Sequence, residues 1–150
     1  MPQSLSNVIV HLVFSTKNRT SLIDDTIKPR LHAYLATIGR DHDCEVYRVG
    51  GIADHVHLAI RLSRTVTLAA LVASLKTNST KWIKRQGPQY SDFRWQQGYG
   101  CFSVSASHFD KLVAYLDQQE EHHRKTTFQE EFRFLCQRYR VEIDERYCWD

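Results

Sequence analysis

In the stretch "DHVHLAI" (54 to 60) two imidazoles are separated by a single valine inside a short apolar run. If that run is a β-strand, alternate side chains leave on opposite faces. His55 and His57 then converge on one side, while Val56 and Leu58 face the other. Converging imidazoles can hold a divalent metal, and they can equally be two polar residues on the solvated side of a sheet. Further along, Tyr115 and Gln119 stand four residues apart, which places a phenol hydroxyl and an amide on the same face of a helix. Docked over the histidine strand, such a helix would bring together two imidazole nitrogens and one amide oxygen. That makes three ligands for a divalent ion, with positions left for phosphate oxygens and water.

A hydroxyl beside such an ion is a candidate nucleophile. Tyrosine, with an ordinary pKa of about 10, is a poor one at neutral pH until a metal polarises its target or a base takes its proton. A metal that binds non-bridging phosphate oxygens offsets the charge developing on phosphorus and fixes the group for in-line attack. The chemistry would be phosphoryl transfer through a covalent phosphotyrosine, which stores the energy of the broken phosphodiester so that a 3′ hydroxyl can rejoin DNA without ATP. Mixed nitrogen and oxygen ligation suits Mn²⁺ or Mg²⁺ better than structural zinc, which normally takes four N/S ligands.

The surrounding pattern supplies elements that can position these groups. "NVIVHLVF" (7 to 14) is β-rich and followed by a polar turn. Residues 24 to 43 place Ile27, Leu31, Tyr34, Leu35 and Ile38 at helical spacing, with Asp24 or Asp25 as N-cap and Gly39 near the stop. "CEVYRVGG" and "HVHLAIRL" read as two strands, with the paired glycines suited to the hairpin connection between them. A second helix carries Leu68, Leu71, Val72, Leu75, Trp82 and Ile83 and stops at Gly87 and Pro88. A strand follows at roughly 100 to 105, preceded by a short one at 93 to 96. The tyrosine helix covers about 107 to 124, capped by Ser107. A C-terminal helix and tail occupy about 127 to 150. The order strand, helix, strand, strand, helix, strand predicts an α+β fold of the ferredoxin-like split βαβ type: a four-stranded antiparallel sheet with two helices on one face, plus the tyrosine-bearing helix beyond it. The other face of the sheet is left for a ligand, a third helix or a second subunit, and the histidine strand lies centrally.

At 150 residues and 42% hydrophobic composition the chain fits one domain, 1 to 150, with a sizeable core. No apolar run is long enough to span a membrane, and the N-terminus lacks the basic flank and cleavage site of a secretory signal. A cytoplasmic protein is expected. Cys44, Cys101, Cys136 and Cys148 are scattered without a C-x-x-C pair, which points to free thiols. The net charge of +3 is unevenly placed: residues 1 to 100 carry 13 Lys and Arg against 7 Asp and Glu, and residues 101 to 150 carry 7 against 10. A basic working face and a more acidic C-terminal segment would follow, although solvated surface charge explains many such splits.

With "HVH", a tyrosine with glutamine four residues later, and the split βαβ order, the chain resembles the single-tyrosine HUH (His, hydrophobic, His) transposases of bacterial insertion sequences, the IS200-like family. Further stretches similar to that family are "HLVFSTKNR" (11 to 19), "WQQGYGCFSVS" (95 to 105), "QEEHHRKTTFQEEF" (119 to 132) and "DERYCWD" (144 to 150), so the likeness covers most of the chain. The resemblance implies a metal-dependent endonuclease and strand transferase acting on single-stranded DNA with subterminal hairpins. It makes His55, His57 and Gln119 the metal ligands and Tyr115 the nucleophile that takes a 5′ phosphate. It also implies a homodimer whose composite sites pair the histidines of one subunit with the tyrosine helix of the other. No glycine lies between Cys101 and Tyr115 to mark a hinge for that helix.

Other residues carry two readings each. Lys76, Lys81, Lys84 and Arg85 can track a phosphate backbone with help from Trp82, or form a solvated helix face. Tyr90, Phe93, Trp95, Tyr99 and Phe102 can stack unpaired bases, although most aromatics in a chain this size belong to the core. His122 and His123 can assist the metal or bind phosphate, but cationic side chains suit a helix C-terminus in any case. His11 on the first strand can line the open face of the sheet near the site, although a lone strand histidine is more often packed or solvated. Tyr139 and Tyr147 are alternative nucleophiles that lack a ligand-type residue four positions on. Three rival functions remain: a domesticated hairpin-DNA-binding protein that moves nothing, a small metal-dependent hydrolase that has no need of Tyr115, and a structural dimer that tolerates loss of all four residues.

Overall fold

The computed structural model describes residues 2 to 150. Four strands, β1 (Ile9–Ser15), β2 (Glu45–Ile52), β3 (His55–Arg61) and β4 (Gly100–Val104), form one sheet in the order β2-β3-β1-β4, with every neighbouring pair antiparallel. Helix α1 (Lys28–Asp41) joins β1 to β2, and α2 (Leu68–Lys84) joins β3 to β4. This is the split βαβ arrangement. Three further helices follow β4: α3 (Phe109–Asp117), α4 (Gln119–His122) and α5 (Phe128–Arg138).

Alternation along the strands sorts the two faces. Leu12, Phe14, Val56, Leu58 and Ile60 join Leu31, Leu35 and Ile38 of α1 and Leu71, Leu75 and Ile83 of α2 in the main core. Burying each of these side chains contributes roughly 1.5–3 kcal/mol, so this face supplies most of the folding drive. The opposite face carries two smaller apolar clusters. Ala59 meets Leu112 and Leu116 of α3, while Val13 and Phe102 meet Phe128, Phe132, Leu135 and Cys136 of α5. His11, His55 and His57 lie on this second face between the two clusters, and all three are buried.

Several boundaries depart from the sequence expectation, each for a local reason. The paired glycines do not form the hairpin turn. They lie inside β2, and Ala53 and Asp54 make the turn. Gly51 has φ +143°, and a Cβ at Gly50 would collide with the Leu116 carbonyl, so Gly50 serves the close approach of α3 to the sheet. Residues 93 to 96 form no strand, since Trp95 makes only an isolated bridge to Thr16. Ser107 caps no helix. Residues Ala106–His108 form a 3₁₀ turn, and the Ser105 and Ser107 hydroxyls bond His108 Nδ1 instead. Neither Asp24 nor Asp25 is the N-cap of α1, which is Ile27; Asp24 instead accepts from the Ile27 amide in the turn before the helix and from the Tyr90 hydroxyl. The expected helix at 107 to 124 is broken at Gln118, which separates α3 from α4. All four cysteines are free thiols.

Candidate active site

The strand pattern places His55 and His57 on the face covered by α3, α4 and α5, and each ring is oriented by a second hydrogen bond. Asp54 Oδ1 lies 2.7 Å from His55 Nδ1, leaving His55 Nε2 to face inward. His57 Nδ1 is 2.7 Å from His11 Nε2, which likewise turns His57 Nε2 inward. His11 therefore fixes its neighbour's ring. Burial pushes His11 down to about 3 and His57 down to about 4, so both rings are neutral at pH 7, the state in which an imidazole can ligate.

The break after α3 delivers the glutamine. With the helix interrupted, the Tyr115 carbonyl accepts from the Gln118 amide at 3.3 Å and from Gln119 Nε2 at 3.3 Å. The amide oxygen of Gln119, which is buried, is thereby turned to His55 Nε2 at 3.1 Å. Tyr115 rests with its ring edge-on to His57, centroids 5.8 Å apart, and its hydroxyl donates to Glu131 Oε2. Burial pushes the Tyr115 hydroxyl above its ordinary pKa, and the adjacent Glu131 charge pushes it further. The phenol is thus protonated at rest.

Glu131 and His123 complete the cluster. Burial opposes ionisation of Glu131, but hydrogen bonds from His123 and His57 outweigh it and hold the carboxyl below the usual carboxylate range. His123 donates through Nδ1 to the Thr126 carbonyl at 2.7 Å and meets Glu131 Oε1 through Nε2 at 3.0 Å. Burial disfavours the charged form of His123, yet Glu131 more than offsets this and raises its pKa. His122 Nε2 lies 3.3 Å from Glu131 Oε2 without hydrogen-bond geometry. The ligand atoms of His55, His57, His123 and Glu131 all lie within 4.8 Å of one another, so this cluster can hold a metal ion.

The donor set suits a hard to borderline divalent cation. When His55 donates its Nδ1–H to Asp54 in a hydrogen bond, its Nε2 lone pair faces Gln119 Oε1 at 3.1 Å and Glu131 Oε1 at 3.5 Å. The ligand atoms are nitrogens and oxygens without thiolates, a set that can hold a divalent cation.

His55, His57, Tyr115 and Gln119 are thus brought together. The basic residues of α2 are not, because α2 covers the other face of the sheet. The Lys76 ammonium is spent on the carbonyls of Gln96, Gln97 and Gly98 at 2.6 to 3.0 Å, and burial lowers it to about 8. Lys81, Lys84 and Arg85 remain exposed, while Trp82 stacks on Tyr34 with centroids 5.4 Å apart. Tyr90, Phe93, Trp95 and Phe102 are core residues, and only Tyr99 of that group is exposed. Tyr139 stacks on Phe102, and Tyr147 lies on the exposed tail.

Sequence reasoning passed over Asp54 and Glu131, and weighed a site role for His11 and His123 but favoured a packed or solvated strand residue and a helix-end cation. A signal for Glu131 existed: it shares the apolar face of α5 with Phe128, Phe132 and Leu135, and a carboxylate on a buried face needs partners. A cleft of about 270 Å³ between α3 and α5 leads to Tyr115 and His11, rimmed by His108, Lys111 and Arg138 with Phe134 at its mouth.

The family model "Transposase IS200 like" matches residues 4 to 119. Among solved structures, the chain is similar to a protein of Deinococcus radiodurans R1 provisionally identified as a transposase, with 20% identity and a TM-score of 0.62 over 79% of this chain and 98% of that one. It is also similar to a REP-associated tyrosine transposase bound to a REP hairpin, with 14% identity and a TM-score of 0.61 over 82% of this chain and 72% of that one. At these identities the two structures establish the fold. A search of curated proteins returns no match.

Proposed function

The chain belongs to the IS200-like transposase family, and from that premise we propose that it is a metal-dependent enzyme that cuts and rejoins single-stranded DNA through Tyr115, as one catalytic domain working in the cytoplasm. The observation that carries this reading is the meeting of the Tyr115 hydroxyl and the Gln119 amide with the inward nitrogens of His55 and His57 in one buried cluster.

His55, His57 and Gln119 would hold the ion through Nε2, Nε2 and Oε1. When bound, Mg²⁺ or Mn²⁺ supplies charge to neutralise the phosphate and fix it for in-line attack. Asp54 and His11 keep the two imidazoles turned inward. Tyr115 Oη forms a bond to phosphorus as the P–O3′ bond breaks; the phenol gives up its proton and the departing 3′ oxygen takes one up. The strand is left with a 3′ hydroxyl, and its 5′ phosphate stays on the protein. Attack by another 3′ hydroxyl reverses the step and joins new partners.

The cleft between α3 and α5 supports a single-stranded substrate. It is narrow, basic at its rim and apolar at its mouth, which suits a splayed strand better than a duplex. The hairpin in the similar REP-associated structure supports subterminal hairpins as the feature recognised, and Lys81, Lys84 and Arg85 are the exposed residues proposed to track its backbone. The acting species is proposed to be a homodimer with composite sites.

Incubation with end-labelled, hairpin-containing single-stranded DNA and Mg²⁺ or Mn²⁺ should leave label on the denatured protein, with mass spectrometry placing the nucleotide on Tyr115. Tyr115→Phe removes one oxygen, so folding and DNA binding should survive while the adduct disappears. An adduct on Tyr139 or Tyr147, or cleavage at the wild-type rate by Tyr115→Phe, overturns the mechanism. Binding without any cutting would favour a domesticated hairpin-binding protein.

A further inference from the structure

Glu131 is the buried charge to which the reaction above gives no task. It stands on α5, beyond residues 4 to 119 that the family model matches. Its two oxygens face different partners. Oε1 lies 3.0 Å from His57 Nε2, 3.0 Å from His123 Nε2 and 3.5 Å from His55 Nε2. Oε2 accepts from the Tyr115 hydroxyl and from Gln119 Nε2 at 3.3 Å.

We propose that Glu131 is a fourth protein ligand of the metal, bound through Oε1, and that its other oxygen holds the Tyr115 hydroxyl beside the ion. The proposal deepens the metal-dependent reading above and rests on it. One reason is charge. His55, His57 and Gln119 are a neutral set, and carboxylates are the ligands that bind hard divalent ions most strongly. A second is position, because Oε1 lies within 3.5 Å of the Nε2 atoms of His55 and His57, close enough to share one ion with them. A third is preorganisation. Phe128 and Phe132 bury the face of α5 that carries Glu131, the Thr127 hydroxyl caps its first turn, and His123 fixes Oε1. In a six-coordinate shell, four protein ligands leave two positions for a phosphate oxygen and water. Carboxylate and phenol thus share one residue's two oxygens, which couples metal capture to placement of the nucleophile.

The test needs no turnover. Mn²⁺ is titrated into the full chain and free Mn²⁺ is read by electron paramagnetic resonance. Glu131→Gln, nearly isosteric, should weaken affinity by about tenfold or more with an unchanged far-UV circular dichroism spectrum, and Glu131→Asp, which keeps the charge, should recover part of the loss. Pulsed resonance on the wild-type chain carrying ¹³C in its glutamate carboxyls requires no variant and should show strong coupling from a carboxylate bound to Mn²⁺. A folded Glu131→Gln chain that binds Mn²⁺ within twofold of wild type, or a wild-type spectrum without that coupling, overturns this assignment and leaves the rest of the metal reading standing. A wild-type chain that binds no Mn²⁺ with or without single-stranded DNA overturns both.

Discussion

Two carboxylates do different work around the imidazoles. Glu131 sits inside the cluster, whereas Asp54 holds the back of the His55 ring through Nδ1 at 2.7 Å and leaves Nε2, the proposed ligand atom, facing inward. Asp54→Asn keeps the shape but loses the charge and allows a flipped amide to present a donor to the ring. Loss of such an outer partner typically costs about 10- to 100-fold in metal affinity, so Mn²⁺ affinity measured by calorimetry should fall within that range while thermal stability changes little. An unchanged affinity would show that strand geometry alone orients His55. At this scale the sequence was legible where period decides. His55 and His57 share a face because a strand alternates, and Tyr115 and Gln119 share one because a helix returns every fourth residue. The apolar face of α5 marks Glu131 as buried, but its partners, like the roles of His123 and His11, depend on contacts between elements distant in sequence, which no local period encodes.

The four strands of the sheet and the two helices between them were legible in order, whereas 93 to 96 forms no strand, 107 to 124 is two helices, and the element ends were not legible. The hairpin turn was assigned to Gly50 and Gly51 because glycines suit turns, yet both lie in β2, where the close passage of α3 and a positive φ at Gly51 require them. The break at Gln118 likewise goes with a contact distant in sequence: the Tyr115 carbonyl accepts from the Gln118 amide and from Gln119 Nε2, and the Gln119 amide oxygen reaches His55. These two features make one testable unit. A methyl group at Gly50 would strike the Leu116 carbonyl, one residue from Tyr115, and must push α3 off the sheet. Overpacking of this kind costs about 1–3 kcal/mol. Gly50→Ala should lower the urea midpoint accordingly and reduce covalent DNA capture disproportionately, since the tyrosine moves with its helix. Full capture by a destabilised variant would mean that the placement of α3 is not set by this contact.

Across the whole molecule the two faces of the sheet differ in how firmly they are covered. The α1 and α2 face carries the large core, whereas α3 is a nine-residue helix that buries only Leu112 and Leu116 and is separated from α4 by the break at Gln118. Those two leucines contribute roughly 1.5–3 kcal/mol each; the other ties of α3 and α4 are the Phe109–Tyr47 and Tyr115–His57 ring contacts and polar pairs, Tyr115 to Glu131, Gln119 to His55, Lys28 to Glu120 and Arg48 to Asp117. A thinly anchored element is the one that opens at least cost. In this chain α3 lies over its own histidines, and β2 and β4 are edge strands of the sheet that a two-fold partner can use. A homodimer that exchanges its tyrosine helices therefore demands little of the main core. Sedimentation at micromolar concentration should give twice the mass of one chain. When His57→Ala and Tyr115→Phe chains are mixed equally and allowed to exchange, about half of the dimers are mixed by random pairing. Each mixed dimer then holds one intact histidine pair opposite one intact tyrosine, so covalent capture should reappear although neither variant alone shows any. A dimer that stays inactive after mixing would assign the working site to a single chain, in the arrangement seen here, and a monomer would remove the exchange altogether.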